Sequence, residues 1–265
     1  MGKFYENISE DHAEWIRQQK LFFVATAPLD PQGTVNASPK GYDCFRIMGP
    51  NRVCYLDLTG SGIETQSHLQ QNGRVTFLFM AFEGAPRILR LFGRGHVAQV
   101  DTLEYQTLYS KYFASPPSSE SQSETSVAAA IASSSRPTPY EFENASQIRG
   151  IIVATIHKVG TSCGWGVPFY EFKGERPTLR SFWAKKTKSQ LGQYWAMANT
   201  SSRDGLPGIR HEFMGPEWAP RPSKSSLLAK MTSQVASFLR GDFVLHSALL
   251  VAGFGTGLAA SRFLA

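Results

Sequence analysis

The chain is broken by turn residues too often, and shows helical periodicity too rarely, to build anything other than a mostly β core. Six runs rich in β-branched and aromatic residues stand close together, each bounded by turn chemistry. They are 20–27 (KLFFVATA), 34–40, 52–58 (RVCYLDL), 74–82 (RVTFLFMAF), 87–100 and 149–159. Pro28 and the Asp30-Pro31-Gln32-Gly33 turn stop the first run and return the chain into the second. Up to residue 203, apolar repeats of helical period are few: 11–19 before these runs, and 63–71, 103–113 and 179–198 between or after them. Strands at such short spacing with sparse helices predict a mainly β, α+β domain, an antiparallel barrel rather than a doubly wound sheet. No internal repeat is visible, which excludes solenoids and propellers.

A hydrophobic share of 42% with 12% aromatics is enough for a packed core. The domain is expected over residues 1–203, interrupted by 115–139, where nine serines and four prolines in twenty-five residues predict a disordered insertion. Residues 204–222, with prolines at 207, 216, 220 and 222 and glycines at 205, 208 and 215, read as a linker. Beyond it, Leu227, Met231, Val235 and Phe238 recur at helical spacing in a C-terminal helical tail. Residues 243–260 then run without a formal charge, about 27 Å as a helix. That stretch reads either as a membrane anchor, with Gly253 and Gly257 as a small-residue pair, or as a helix docked on the barrel or a partner.

Twenty-seven basic against twenty-one acidic residues leave a net charge of +6, which suits anionic partners such as phosphorylated small molecules. Nucleic acid is not among those expected. The charge is spread out, and Lys185-Lys186-Thr187-Lys188 reads as a solvated helix face. Cys44, Cys54 and Cys163 show no CxxC spacing and the six histidines no HxxxH, so neither a disulfide scaffold nor a metal site is expected. Charged residues scattered through the first twenty positions leave no signal-peptide core, and a cytoplasmic location follows, with or without the tail as an anchor.

Three features can carry chemistry. Thr59-Gly60-Ser61-Gly62 joins the third strand to the helix beginning near Ile63; its glycines and free N–H groups suit an anion, and the hydroxyls of Thr59, Ser61 and Thr65 can add donors. A plain loop with an N-cap is the competing reading. Asn36-Ala37-Ser38-Pro39-Lys40-Gly41 ends the second strand, where Pro39 marks an edge and Lys40 can face a ligand. Arg87 and Arg90 lie on the fifth strand, three apart, so at most one of them reaches a given pocket. Cys163 reads as an inert buried cysteine rather than a reactive thiol, and Trp165, Tyr170 and Trp183 as core aromatics or stacking platforms.

Taken in order, VATAP (24–28), VNASPKG (35–41), YLDLTGSG (55–62), NGRVTFLF (72–79) and RLFGRGHV (90–97) resemble the pyridoxamine 5′-phosphate oxidase-like split-barrel family. The resemblance covers about Trp15 to Val100 and Ile148 to Val159, and TSCGWGVPFYEFKGER (161–176) is similar to a stretch of uncharacterised members. It implies a six-stranded antiparallel split β-barrel with flanking helices, forming a homodimer that holds FMN, or in some branches a deazaflavin or haem, at the subunit interface. By position, Asn36, Ser38 and Lys40 would flank the flavin ring and ribityl chain. Leu58 and Thr59 would border ring and phosphate, Ser61 and Thr65 would lie at the phosphate, and Arg90 would add a cation. Authentic oxidases carry an Arg-Lys pair where Glu64 and Thr65 stand and an arginine at Asn36, so pyridoxamine phosphate is not the expected substrate. Losing those cations is equivalent to several kcal/mol, or ~10²–10³ in affinity for a phosphate. The leading expectation is an FMN-dependent oxidoreductase acting on a small molecule. The alternatives are a non-enzymatic flavin or haem binding protein and a degenerate split-barrel interaction module.

Overall fold

In the computed structural model, residues 2–114 and 147–210 are described. Thirteen elements are assigned along them. The strands are β1 (Lys3–Tyr5), β2 (Phe22–Thr26), β3 (Asn36–Lys40), β4 (Phe45–Gly49), β5 (Arg52–Leu58), β6 (Arg74–Met80), β7 (Ile88–Gln99) and β8 (Ile148–Ser162). The helices are α1 (Glu10–Gln18), α2 (Glu64–Asn72), α3 (Leu103–Tyr112), α4 (Thr178–Ala184) and α5 (Lys188–Ala198).

The six expected strands are present, in one antiparallel sheet of eight ordered β3-β2-β6-β7-β8-β5-β4, with β1 added on β8. The two additional strands have little local signal. Tyr5, Phe4 and Lys3 are all exposed and become a strand only because β8 runs fifteen residues, leaving an edge past β5 for β1 to pair with. The five-residue β4 shows no buried–exposed alternation, and its pairing with β5 is bulged between Ile47 and Gly49. The periodic stretch 179–198 divides into two helices: Thr187 caps α5 through its side chain, and Gln190 closes the capping box.

The sheet curls without closing, since β3 and β4 end the path and are not paired with each other. What joins its two ends is a cluster of rings. Phe22 on β2 meets Phe45 on β4 at 5.0 Å and Tyr55 on β5 at 5.5 Å, both edge-on, with Phe77 and Phe79 of β6 alongside. These rings join Val24, Val53, Leu56, Leu89, Leu91, Ile151 and Ile152 in the main core.

A second, smaller apolar cluster of Ile63, Trp183, Leu191, Trp195 and Ile209 seats α4 and α5 against the start of α2. The chain from Asp204 to Ile209, read as the beginning of a linker, therefore belongs to the packed domain. Asp204 accepts from the backbone N–H and hydroxyl of Thr34 at 2.8 and 2.9 Å, and Ile209 is buried. The expected insertion at 115–139, the rest of the linker and the apolar stretch 243–260 lie outside the described residues. Among the described residues, no helix is long and apolar enough to cross a membrane.

Candidate functional site

Strand register decides which side chains can share a site. Lys40 stands opposite Phe22, Ser38 opposite Val24 and Asn36 opposite Thr26, and Val24 is in turn opposite Phe77. Asn36, Ser38 and Lys40 therefore lie on the core side of the edge strand β3, while Ala37 and Pro39 face out. Because β3 ends the sheet, this inward row meets α2 and β5 across the unpaired seam, and polar groups there bond to one another. Asn36 Nδ2 donates to Thr26 Oγ1 at 3.1 Å and Thr65 Oγ1 at 3.0 Å, and the Ser38 hydroxyl donates to Asn36 Oδ1 at 2.7 Å. Thr26 Oγ1 also lies 3.0 Å from Nδ1 of the fully buried His68.

Below that row lies an ion cluster centred on Asp57, the charged residue in the buried stretch 53–57 of β5. Its carboxylate is inaccessible and receives Arg149 Nε at 2.9 Å, Gln66 Nε2 at 3.0 Å and Lys40 Nζ at 3.3 Å. A bulge brings the arginine into place: Asp57 pairs with Gly150 and Leu58 with Ile148, so Arg149 is the extra residue and turns toward the carboxylate. Burial pushes the Asp57 carboxyl up, but the Arg149 and Lys40 charges and the hydrogen bonds outweigh it and hold it at about 2. Lys40 bonds only to Asp57 among the described residues, over the Tyr55 ring, with 19% of its side chain exposed.

The glycine turn has a different character from the one its sequence suggests. Thr59 is inaccessible: its hydroxyl accepts from Trp195 Nε1 at 3.0 Å and its carbonyl from Trp183 Nε1 at 3.2 Å. The Gly60 carbonyl accepts from Asn199 Nδ2 at 3.0 Å and Arg149 NH1 at 3.2 Å. Ser61 is exposed, and Ile63 at the head of α2 supplies no side-chain cap. Glu64 folds its carboxylate back against Gly62, into the space a Cβ there would fill.

Of the eight residues singled out, the structure thus joins Asn36, Ser38 and Thr65 directly. Lys40 is linked to the same wall through Asp57, with the half-buried Leu58 beside it. Thr59 is sealed beneath two tryptophans and Ser61 stands at the open turn. Arg90 is not brought to this face. It stands opposite Leu78, which stands opposite Phe23, which stands opposite Pro39, the outward row, and its guanidinium reaches Ser162 at 3.4 Å. Arg87 instead pairs with Asp11 at 2.8 Å and covers the Trp15 ring.

Sequence reasoning missed Asp57, Gln66, Arg149, Thr26 and His68. Only Asp57 carried a signal, as a carboxylate in a strand too apolar to tolerate one without partners.

A separate groove of about 1090 Å³ runs past the start of β2 and the end of β3, walled by Trp15, Lys20, Tyr42, Phe82, Tyr170 and Glu175 among others. The irregular segment 163–177 forms one side of it. That segment is tied down by Tyr170 N–H to the Phe82 carbonyl at 3.1 Å, Phe172 N–H to Glu83 at 3.2 Å and Tyr42 N–H to Glu175 at 3.0 Å. Trp165 on the same segment is 83% exposed, whereas Trp183 is core. Cys163 is exposed.

A curled antiparallel sheet with an open, polar seam beside a strand–glycine turn–helix passage defines a split-barrel protein. Residues 8–136 match the family model described as Pyridoxamine 5′-phosphate oxidase. The pyridoxamine 5′-phosphate oxidase family protein ustO of Aspergillus flavus is 32% identical over 225 residues, covering 79% of this chain and 78% of that protein. The chain belongs to the pyridoxamine 5′-phosphate oxidase family. Among solved structures, HupZ of Group A Streptococcus is 16% identical, with a TM-score of 0.36 over 57% of this chain and 91% of its own. A Clostridium acetobutylicum protein of the pyridoxinephosphate oxidase family is 12% identical, with a TM-score of 0.37 over 58% and 86%. A FAD-binding protein of Mesorhizobium loti is 11% identical, with a TM-score of 0.34 over 61% and 97%.

The two ends of a flavin mononucleotide make different demands on this wall. A ring edge needs a few fixed donors and acceptors; in this row Lys40 keeps N–H groups to donate, while Asn36 Oδ1 and Ser38 Oγ, their own protons already committed, keep lone pairs to accept. A phosphate dianion needs converging cations and free N–H groups. At the turn it would meet the Glu64 carboxylate, a Thr59 hydroxyl already bonded to Trp195 and, among the described residues, no cation that lacks an acidic partner. The residues fit the ring and do not fit the phosphate.

Proposed function

We propose that this chain binds a flavin-type ring against the inward row of β3 and serves as an oxidoreductase of its family, acting on a small molecule. The observation that supports this reading is Lys40. Its ammonium is mostly withdrawn from water, held by one hydrogen bond to Asp57, and so has N–H groups left to meet a ligand in the seam. A cation fixed there favours a ring edge that gains electron density on reduction, which is the kind of electrostatic contribution a protein makes to a redox group. Ser38 and Asn36, locked to Thr26 and Thr65, add polar contacts whose geometry needs little reorganisation on binding.

Titrating the protein with riboflavin tests the reading through the red shift of the visible band and the quenching of flavin fluorescence. Lys40→Met is expected to weaken binding at least about tenfold, or about 1.4 kcal/mol, with an unchanged circular dichroism spectrum. Equal binding by the variant refutes the assignment. Bleaching of the bound ring by a nicotinamide donor reads the redox half; a ring that binds but never bleaches leaves a carrier rather than an enzyme.

A further inference from the structure

We infer that Glu64 is a specificity-determining residue that makes this site select a flavin-type ring without a phosphate over its phosphorylated form. The inference rests on the ring reading above and adds to it the polarity of the ligand's tail.

A glycine-rich turn running into a helix is where backbone N–H groups and the helix dipole attract an anion. Here that attraction is already used. Ile63 leaves the α2 N-terminus without a side-chain cap, and the carboxylate of Glu64, in the first turn, lies back over Gly62. Charge nearby offers an incoming dianion no compensation. Arg149 and Lys40 are both committed to Asp57, and with Glu64 counted the four charges cancel. Among the described residues, the cation paired with Glu64 is Arg203, 3.9 Å from Oε1 on a side chain 83% exposed, where water and salt screen it.

The other side of the turn is closed as well. Trp183 and Trp195 hold Thr59, and Asn199 and Arg149 hold the Gly60 carbonyl, so the backbone cannot swing to cradle a phosphate without dismantling the second apolar cluster. An uncharged polyhydroxyl tail avoids both penalties. It can reach the exposed Ser61 and lie beside Glu64 as a hydrogen-bond donor to the carboxylate.

The test compares dissociation constants for riboflavin and FMN on the full chain at low ionic strength. In the wild type, FMN is expected to bind at least about tenfold more weakly than riboflavin. Glu64→Gln, nearly isosteric, is expected to bring the FMN-to-riboflavin ratio close to one, and Glu64→Lys to invert it. Circular dichroism checks that each variant is folded. FMN binding tighter than riboflavin in the wild type, or a ratio that Glu64→Gln does not move, overturns the inference while leaving the ring reading intact. Failure of riboflavin itself to bind overturns both.

Discussion

Replacing Asp57 by asparagine removes the one anion that neutralises two largely buried cations across the open seam of the sheet. Asp57 is fully buried, and the Arg149 side chain is 5% exposed. The asparagine leaves one neutral amide oxygen for both cations and turns an NH2 group toward them; beyond it Arg149 keeps the Gly60 carbonyl at 3.2 Å, and Lys40 has no other acceptor among the described residues. Breaking a buried pair by deleting one partner typically costs about 3–5 kcal/mol, because the charge left behind has no compensation. For a domain of this size that is a fall in Tm of roughly 6–20 °C. Urea unfolding at neutral pH, followed by tryptophan fluorescence and circular dichroism, reads it directly. The midpoint should drop at unchanged slope.

Acid gives an independent check on the same group. The Asp57 carboxyl is held at about 2 in the fold, below its ordinary value of about 3.9. A depressed pKa contributes stability that is complete above the unfolded value and lost as pH falls through the folded one. The gap between wild type and Asp57→Asn should therefore narrow from about pH 4 down to about pH 2. A companion variant, Asp57→Leu with Arg149→Met, removes the more deeply buried pair and should recover the Arg149 share of the loss, the remainder staying with Lys40, which keeps its charge without its acceptor. An Asp57→Asn loss below about 1 kcal/mol, or an equal loss in the double variant, would refute the claim that unpaired charge sets the penalty.

Two further outcomes follow from the same geometry. His68 is buried against Thr26 and burial lowers its pKa, with Asp204, Glu64 and the Thr26 hydrogen bond pulling the other way. With its pKa lowered in the fold, its contribution is full above the unfolded value of about 6.5 and is lost on acidification. His68→Gln should lose less stability between pH 7 and pH 5 than the wild type, measured by the urea midpoint, and parallel curves would count against this. Gly164 has a φ of +70°, and a Cβ there would lie 2.8–3.1 Å from the backbone of Arg87. Gly164→Ala should accordingly cost at least about 1 kcal/mol, read as a lower Tm; a change within about 0.5 kcal/mol would show that the 163–177 segment gives way freely.

Much of this architecture is local and therefore legible. Alternation in FFVAT and RVTFLFM, the proline that marks β3 as an edge, and the glycine turn before α2 each depend on residues a few positions apart. Family likeness was readable for the same reason, through short motifs that keep their order. What escaped was everything set by pairing at a distance. Strand β1 exists because β8 is long, Arg149 is aimed by a bulge opposite β5, and Arg90 is turned away by a register that counts strands rather than residues.

The glycine turn shows most clearly where the division falls. Thr59-Gly60-Ser61-Gly62 determines by itself that a strand ends and a helix begins with unclaimed N–H groups, because those consequences follow from backbone freedom over four residues. Whether those groups remain open to a ligand depends on Trp183, Trp195 and Asn199, more than a hundred residues later in the chain, and on the rotamer of Glu64. Sequence alone determined six of the eight strands, the edge position of Pro39 and the candidate polar row. Only the tertiary structure decided that the row is wired to Asp57 and Arg149 and that the anion seat is covered, because burial and charge compensation belong to neighbours in space.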